Sequence, residues 1–169
     1  MNENNIKLIV LDVDGTLTDG SIIYSSIVGE CKVFSVKDGL ILKALTRLDI
    51  PVIFLTGSNS TLVEKRGKEL GVLDVLQGVE NKRDVLVSYV SKLGINSKSV
   101  AYIGDDLNDY EAMLLCGFKA CPSDAVAEIR DICDYVSTYR GGRGAIRDIC
   151  EYILRLEKKY NEVLDLFGL

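Results

Sequence analysis

The chain has 169 residues, 47% of them hydrophobic and 27% charged, the length and composition of one globular domain that can bury its own core. Its net charge of −5 argues against a nucleic-acid backbone as partner, and no apolar run approaches the ~20 residues of a membrane-spanning helix. With no histidine in the chain, Ser-His-Asp, Cys-His and histidine general-base mechanisms are excluded, so acid–base work falls to carboxylates, lysine or tyrosine. The polar start, MNENNIK, lacks the apolar centre of a signal peptide, which predicts a cytoplasmic protein. Five cysteines, an odd number with no C-x-x-C pair, read as reduced and mostly buried thiols rather than a zinc site.

The first element is KLIVLDVDGTLTD, an apolar strand of the kind buried on both faces of a parallel sheet, running into an acidic loop. The strand's two-residue period puts Asp12 and Asp14 on one side, about 6–7 Å apart at a rise of about 3.3 Å per residue. Such carboxylates repel, and a divalent cation would relieve the repulsion. Residues 22–24 and 31–36 alternate as a hairpin, with Val28, Gly29 and Glu30 between them, so that about residues 20–37 form an insertion. A lone two-stranded ribbon is marginal in water and needs something to pack on, such as another subunit.

A helix starts at Asp38 or Gly39 and ends at Asp49, with Leu40, Ile41, Ala44, Leu45 and Leu48 at helical spacing. Strand 51–55 runs into Thr56, Gly57 and Ser58. A helix from about 60 to 70 stops at Gly71, a short strand covers 72–76, and a helix covers about 81–93. Strand 99–103 runs into GDDLND. Helix 108–116, strand 118–121, helix 125–131 and strand 135–136 follow. Beyond Arg140 and the glycines at 141, 142 and 144 comes a long helix from about Ala145 to the Lys158 region, and residues 157–169 read as helix extension and tail. Strands alternating with helices predict an α/β fold. It is a single domain over residues 1–169, a Rossmann-like parallel sheet with helices on both faces and right-handed crossovers.

Chemistry-bearing residues gather at the carboxyl ends of these strands, where open α/β sheets bind ligands. The first strand brings Asp12 and Asp14, the second Thr56, a later one Asp105 and Asp106, and Lys82 opens a helix between them. Each alone has a plainer reading: a turn threonine, a solvated lysine, a pair of helix caps. Lysine is the wrong charge for a helix N-terminus, however, unless an anion lies between it and the strand ends. Acids, a hydroxyl and a base on one sheet edge favour a metal-plus-phosphate site.

DVDGTLTD, then LTGS after a buried strand, then a lone lysine, then GDDLND, resembles the haloacid dehalogenase superfamily of phosphotransferases. The resemblance implies that Asp12 is the nucleophile and forms an aspartyl-phosphate, while Asp14 protonates the leaving alkoxide and then activates water. It implies Mg²⁺ held by the Asp12 carboxylate, the Asp14 carbonyl and Asp105, and a phosphoryl clamp of Thr56 and Lys82. Asp106 would orient a ligand or Lys82 from behind, and Asp109 would serve in the same outer layer or simply in the first helical turn.

Further matches at TDGSIIY, GECKVFSVKDG, YIGDDLND and GGRGAIRD are similar to the capless group that removes phosphate from nonulosonic acids, over about residues 7–154. That resemblance implies a small anionic sugar phosphate as substrate. The best single choice is 3-deoxy-D-manno-octulosonate 8-phosphate; ketodeoxynononate or N-acylneuraminate 9-phosphate is the alternative. It also implies a homotetramer assembled through the hairpin, a neighbour closing each otherwise open site. Spacing alone agrees that no cap domain is present, because only a hairpin and a helix separate Asp12 from Thr56. Ser58, Arg66, Arg140 and Arg143 are the candidate sugar contacts, and Ser58 stands where octulosonate phosphatases usually carry arginine. Two rivals remain: a non-catalytic tetramerisation module of the same fold, and a response-regulator receiver, whose phospho-accepting aspartate follows a later strand.

Overall fold

The computed structural model describes residues 6–27 and 29–169; the polar start at residues 1–5 and the hairpin residue Val28 lie outside the described residues. Six strands form one parallel sheet: β1 (Leu8–Leu11), β4 (Val52–Leu55), β5 (Asp74–Leu76), β6 (Val100–Ile103), β7 (Phe118–Cys121) and β8 (Tyr135–Val136). A separate antiparallel pair, β2 (Ile23–Ser25) and β3 (Gly29–Cys31), forms the hairpin. The sheet order is β5-β4-β1-β6-β7-β8, so the direction of chain winding reverses at β1. The crevice beyond the carboxyl ends of β1 and β6 is therefore the topological switch point, where this architecture places its ligands. The doubly covered parallel sheet and the inserted hairpin agree with the reading of the sequence.

β1, β4 and β6 are buried along their whole length because helices cover both faces. Leu8 and Val10 pack with Leu86, Val90, Ala112, Met113 and Ile129, from α3 (Lys82–Lys92), α4 (Leu107–Met113) and α5 (Ala127–Ile132). Ile9 and Leu11 face Leu42, Leu45, Val63, Leu70, Ile146 and Ile149, from α1 (Val36–Arg47), α2 (Thr61–Leu70) and α6 (Ala145–Leu156). A two-residue period thus sorts one strand's side chains into two cores. Asp38, in the first turn of α1 and fully buried, caps α6: its carboxylate accepts from the backbone N–H groups of Gly144 at 3.2 Å and Arg147 at 2.8 Å. Those bonds hold an anion where burial otherwise raises its proton affinity.

Several boundaries differ from expectation. β1 ends at Leu11, yet the Asp12 N–H still pairs with the Ile103 carbonyl and Val13 packs in the same core as Ile9 and Leu11, so the alternation carries on until the turn at Gly15, with φ +98°. The second hairpin strand stops at Cys31, because the chain then turns into the molecule and Phe34 packs against the core beneath α1. α1 starts at Val36 rather than at 38 or 39, since the Ser35 hydroxyl caps it by accepting from the Asp38 N–H. Residues 157–169 are not a simple helix extension. Lys158 has φ +59°, the helix breaks, and a short α7 (Tyr160–Asp165) folds back to bury Val163 in the core.

Candidate active site

At the switch point the chain leaves β1 with Asp12, whose backbone N–H still pairs with the Ile103 carbonyl at 2.9 Å. Its side chain is buried, and Oδ1 accepts from Lys82 Nζ at 2.5 Å. Lys82 is the first residue of α3 and only 2% exposed. Asn81 caps that helix by accepting from the Asp84 N–H, which frees the lysine to reach back across the strand ends. Burial alone would strip the ammonium of its proton, but the carboxylates of Asp12 and Asp109 outweigh it and the proton affinity is raised.

Asp109 is the second anchor. Oδ1 accepts from Lys82 Nζ and from the Tyr102 hydroxyl, each at 2.7 Å, while Oδ2 accepts from the N–H groups of Asp105 at 3.2 Å and Asp106 at 3.5 Å. Burial, then the Asp109 charge, pushes the Tyr102 phenol well above its ordinary range, which keeps it a neutral donor. Gly104 is required by this approach, since a Cβ there would lie 2.5 Å from Asp109 Oδ2.

The expected roles of the GDDLND acids divide differently from the first reading. Asp106 does not orient Lys82. It is the exposed N-cap of α4, accepting from the Leu107 N–H at 2.7 Å and forming a capping box with Asp109. Asp109, the weakest of the acids in the sequence reading, holds Lys82. A D-x-x-D spacing at a helix start is itself the capping-box signature, and its third-position side chain points back under the strand ends.

Asp105 Oδ1 accepts from the Thr16 hydroxyl at 2.7 Å. Burial, with Asp109 nearby, raises its pKa to about 6. Burial and the Asp109 charge raise Asp12 as well, against the pull of Lys82. One carboxylate oxygen from each of Asp12, Asp105 and Asp109 lies within 4.8 Å of the others. Because Asp109 already has both oxygens engaged by donors, a cation is left Asp12 and Asp105. Two hard carboxylates that both resist ionisation side by side suit a divalent ion such as Mg²⁺. Gly15 is needed here too, since a Cβ on it would meet Asp105 Oδ2 at 2.1 Å.

Thr56, buried at the end of β4, accepts from the Ser58 N–H at 3.1 Å, and among the described residues its hydroxyl has no acceptor for its own hydrogen. Asp14 is held by different partners from Asp12. One of its oxygens accepts from Ser58 Oγ at 2.8 Å and the other pairs with Lys32 Nζ. The sequence reading missed Lys32. Nothing in a hairpin's alternation tells which of its charges folds inward without the register of the turn.

The arginines lie elsewhere. Arg66 is wedged under the start of α1, where Nη2 donates to the Ser35 carbonyl at 3.3 Å, Nη1 reaches Glu69 at 3.4 Å and the guanidinium lies 5.7 Å from the Phe34 ring centre. Arg140 pairs with Asp124 and Arg143 with Asp19, each at 3.0 Å and mostly exposed. Within this chain none of the three touches the acid cluster. The glycines beside them do reach it. The Gly142 N–H donates to the Thr16 carbonyl at 3.1 Å, and a Cβ on Gly141 would lie 1.8 Å from the Gly15 carbonyl oxygen. This segment buttresses the loop that follows Asp12.

A profile of the haloacid dehalogenase-like hydrolase family matches residues 28–117. The 3-deoxy-D-manno-octulosonate 8-phosphate phosphatase of Escherichia coli K12 is 39% identical over 158 residues, covering 94% of this chain and 84% of that protein. The Moraxella catarrhalis phosphatase of the same name, solved with magnesium, phosphate and the sugar acid, superposes with a TM-score of 0.94 at 41% identity, over 98% of this chain and 95% of that one. The cobalt-bound Haemophilus influenzae enzyme superposes with a TM-score of 0.88 at 34% identity, over 95% and 94% of the two chains.

Proposed function

The chain belongs to the haloacid dehalogenase-like hydrolase family and is a phosphatase, and from that premise we propose that it hydrolyses 3-deoxy-D-manno-octulosonate 8-phosphate with Mg²⁺ as cofactor. The observation that carries this reading is the buried Asp12 carboxylate, held 2.5 Å from Lys82 beside Asp105 at the switch point. A non-catalytic assembly module would have no use for so costly a cluster of buried charge.

Asp12 attacks phosphorus as the P–O bond to the sugar breaks, giving an aspartyl-phosphate on Asp12. Asp14 carries the proton to the departing alkoxide, one of its oxygens first exchanging its Ser58 donor for that proton, and then takes a proton from the water that cleaves the intermediate. Lys82 keeps its bond to Asp109 and turns another N–H of its ammonium toward a phosphoryl oxygen, and the free hydrogen of Thr56 donates to another. Asp12, Asp105 and the Asp14 carbonyl would hold Mg²⁺, which when bound neutralises phosphoryl charge. Asp109 keeps Lys82 aimed at the strand ends.

The open side of the site is closed by assembly. The hairpin exposes Ile22, Tyr24 and Ile27, the last two at 85% and 91%, an apolar surface suited to a second copy in a homotetramer. No described helix is long and apolar enough to cross a membrane, and all five cysteines are free thiols, which fits a reducing cytoplasm. The test is phosphate release with Mg²⁺ from octulosonate 8-phosphate, set against ketodeoxynononate and N-acetylneuraminate 9-phosphates. The octulosonate ester should have the highest kcat/KM, and D12N should abolish turnover. A preference for either 9-phosphate would reassign the substrate. Sedimentation at micromolar concentration should give a tetramer, and a monomer that is fully active would contradict the closure.

A further inference from the structure

β3 ends at Cys31, and the next side chain, Lys32, folds into the molecule until only 7% of it is exposed. Its ammonium pairs with Asp14 Oδ1, and a second carboxylate, Glu30, lies 3.5 Å away. The other oxygen of Asp14 accepts from Ser58 Oγ at 2.8 Å. Glu30 in turn accepts from Ser60 Oγ at 2.8 Å, and Ser60 is the N-cap of α2. The hairpin and the loop after β4 thus grip Asp14 from two sides and are tied to each other by Glu30.

We propose that Lys32 is a positioning residue for the proton-transfer carboxylate, fixing Asp14 in one rotamer from the hairpin of its own chain. The proposal rests on the reading of Asp14 as the group that protonates the leaving alkoxide. A free aspartate samples several staggered χ1 wells. Two donors, one on each oxygen and each anchored on a different element, select a single well. The Asp14 end of the pair is 32% exposed, so water screens part of its attraction even though Lys32 is 7% exposed. Orientation of a catalytic group is where such a contact has its effect. The same geometry joins the element offered to a neighbouring subunit to the acid that completes the reaction, so hairpin placement sets the position of Asp14.

The experiment is a double-mutant cycle of K32M and D14N on the full chain with Mg²⁺, read by single-turnover phosphorylation. Two probes are used: octulosonate 8-phosphate, whose alkoxide needs a proton, and p-nitrophenyl phosphate, whose phenolate does not. K32M should slow the sugar ester by about 10- to 100-fold with KM changed by less than about threefold, the scale of lost acid catalysis. K32R should recover part of that loss. With p-nitrophenyl phosphate the loss should shrink to about threefold or less, and in the D14N background K32M should change nothing further. Equal losses in the two backgrounds, or equal losses on the two esters, would overturn the role of Lys32 and leave that of Asp14 intact. A D14N enzyme as fast as the parent would overturn the reading of Asp14 itself. If K32M does not fold, Lys32→Gln carries the same cycle.

Discussion

Replacing Asp109 by alanine removes four hydrogen-bond contacts at once, to Lys82, Tyr102 and the backbone of Asp105 and Asp106. Lys82, 2% exposed, keeps Asp12 but loses its second counter-charge, and losing one partner of a buried ion pair costs about 3–5 kcal/mol. The Tyr102 hydroxyl, fully buried, is left unpaired at about 1–3 kcal/mol. The two backbone groups lie near the surface and regain water. Relief of repulsion between Asp109 and Asp12, which raises the proton affinity of Asp12, offsets part of the loss. A net of about 4 kcal/mol follows, against a total of about 5–15 kcal/mol for a domain. At about 2–4 °C per kcal/mol the melting temperature should fall by roughly 8–16 °C. Urea unfolding of D109A and the parent measures this directly. D109N, nearly isosteric, should fold better yet lose turnover, because Lys82 is no longer aimed. A D109A loss below about 1 kcal/mol would refute the network argument. Activity restored by excess Mg²⁺ would refute the other half of it, by making Asp109 a metal ligand rather than the anchor of Lys82.

Three further expectations follow from the same geometry. D106A removes only a cap and should cost about 1 kcal/mol while leaving kcat within a few-fold, the opposite of D109A; a large loss of turnover would return Asp106 to the site. G15A forces a Cβ to 2.1 Å from Asp105 Oδ2 at a φ of +98°, so half-saturation by Mg²⁺ should weaken by about 10- to 100-fold in a titration of activity. Without metal, burial raises Asp105 to about 6 and Asp12 in the same direction, so the folded state binds more protons than the unfolded one. Stability in EDTA should therefore be greatest below the unfolded value near 4 and fall as pH rises through about 6; urea midpoints from pH 4.5 to 7 check the sign. Mg²⁺ should reverse that slope, since protons and cation compete for the same oxygens.

The buried strands were legible because uninterrupted apolar runs can only be doubly covered, and their order placed Asp12, Thr56, Lys82 and Asp105 on one edge. The division of labour between Asp106 and Asp109 was harder to read. Both are acids at a helix start, and only the backbone decides that one turns to its own helix while the other turns under the sheet. The placing of Asp12 and Asp14 on one side was legible because Ile9, Leu11 and Val13, which alternate with them, share one core even though β1 itself ends at Leu11. The in-chain partners of Arg66, Arg140 and Arg143, namely the Ser35 carbonyl, Asp124 and Asp19, could not be read from sequence because they lie on other elements. Lys32 was invisible because it depends on where the hairpin lies against the sheet, and no local pattern encodes that.

Asp38 binds the Arg147 N–H, a residue 109 positions later in the chain, and Gly141 and Gly142 press against the loop that follows Asp12. The loop that follows Asp12 thus waits for a segment far later in the chain before it has a wall to rest on. During synthesis, β1 through α4 can form with Asp12, Asp105 and Asp109 all present and still lack the support that Gly141 and Gly142 give to the loop after Asp12. Enzymatic activity should therefore appear late and abruptly as the chain lengthens, only once α6 is free to dock. Partly made chains then hold neither metal nor phosphate firmly, which keeps an unfinished hydrolase silent.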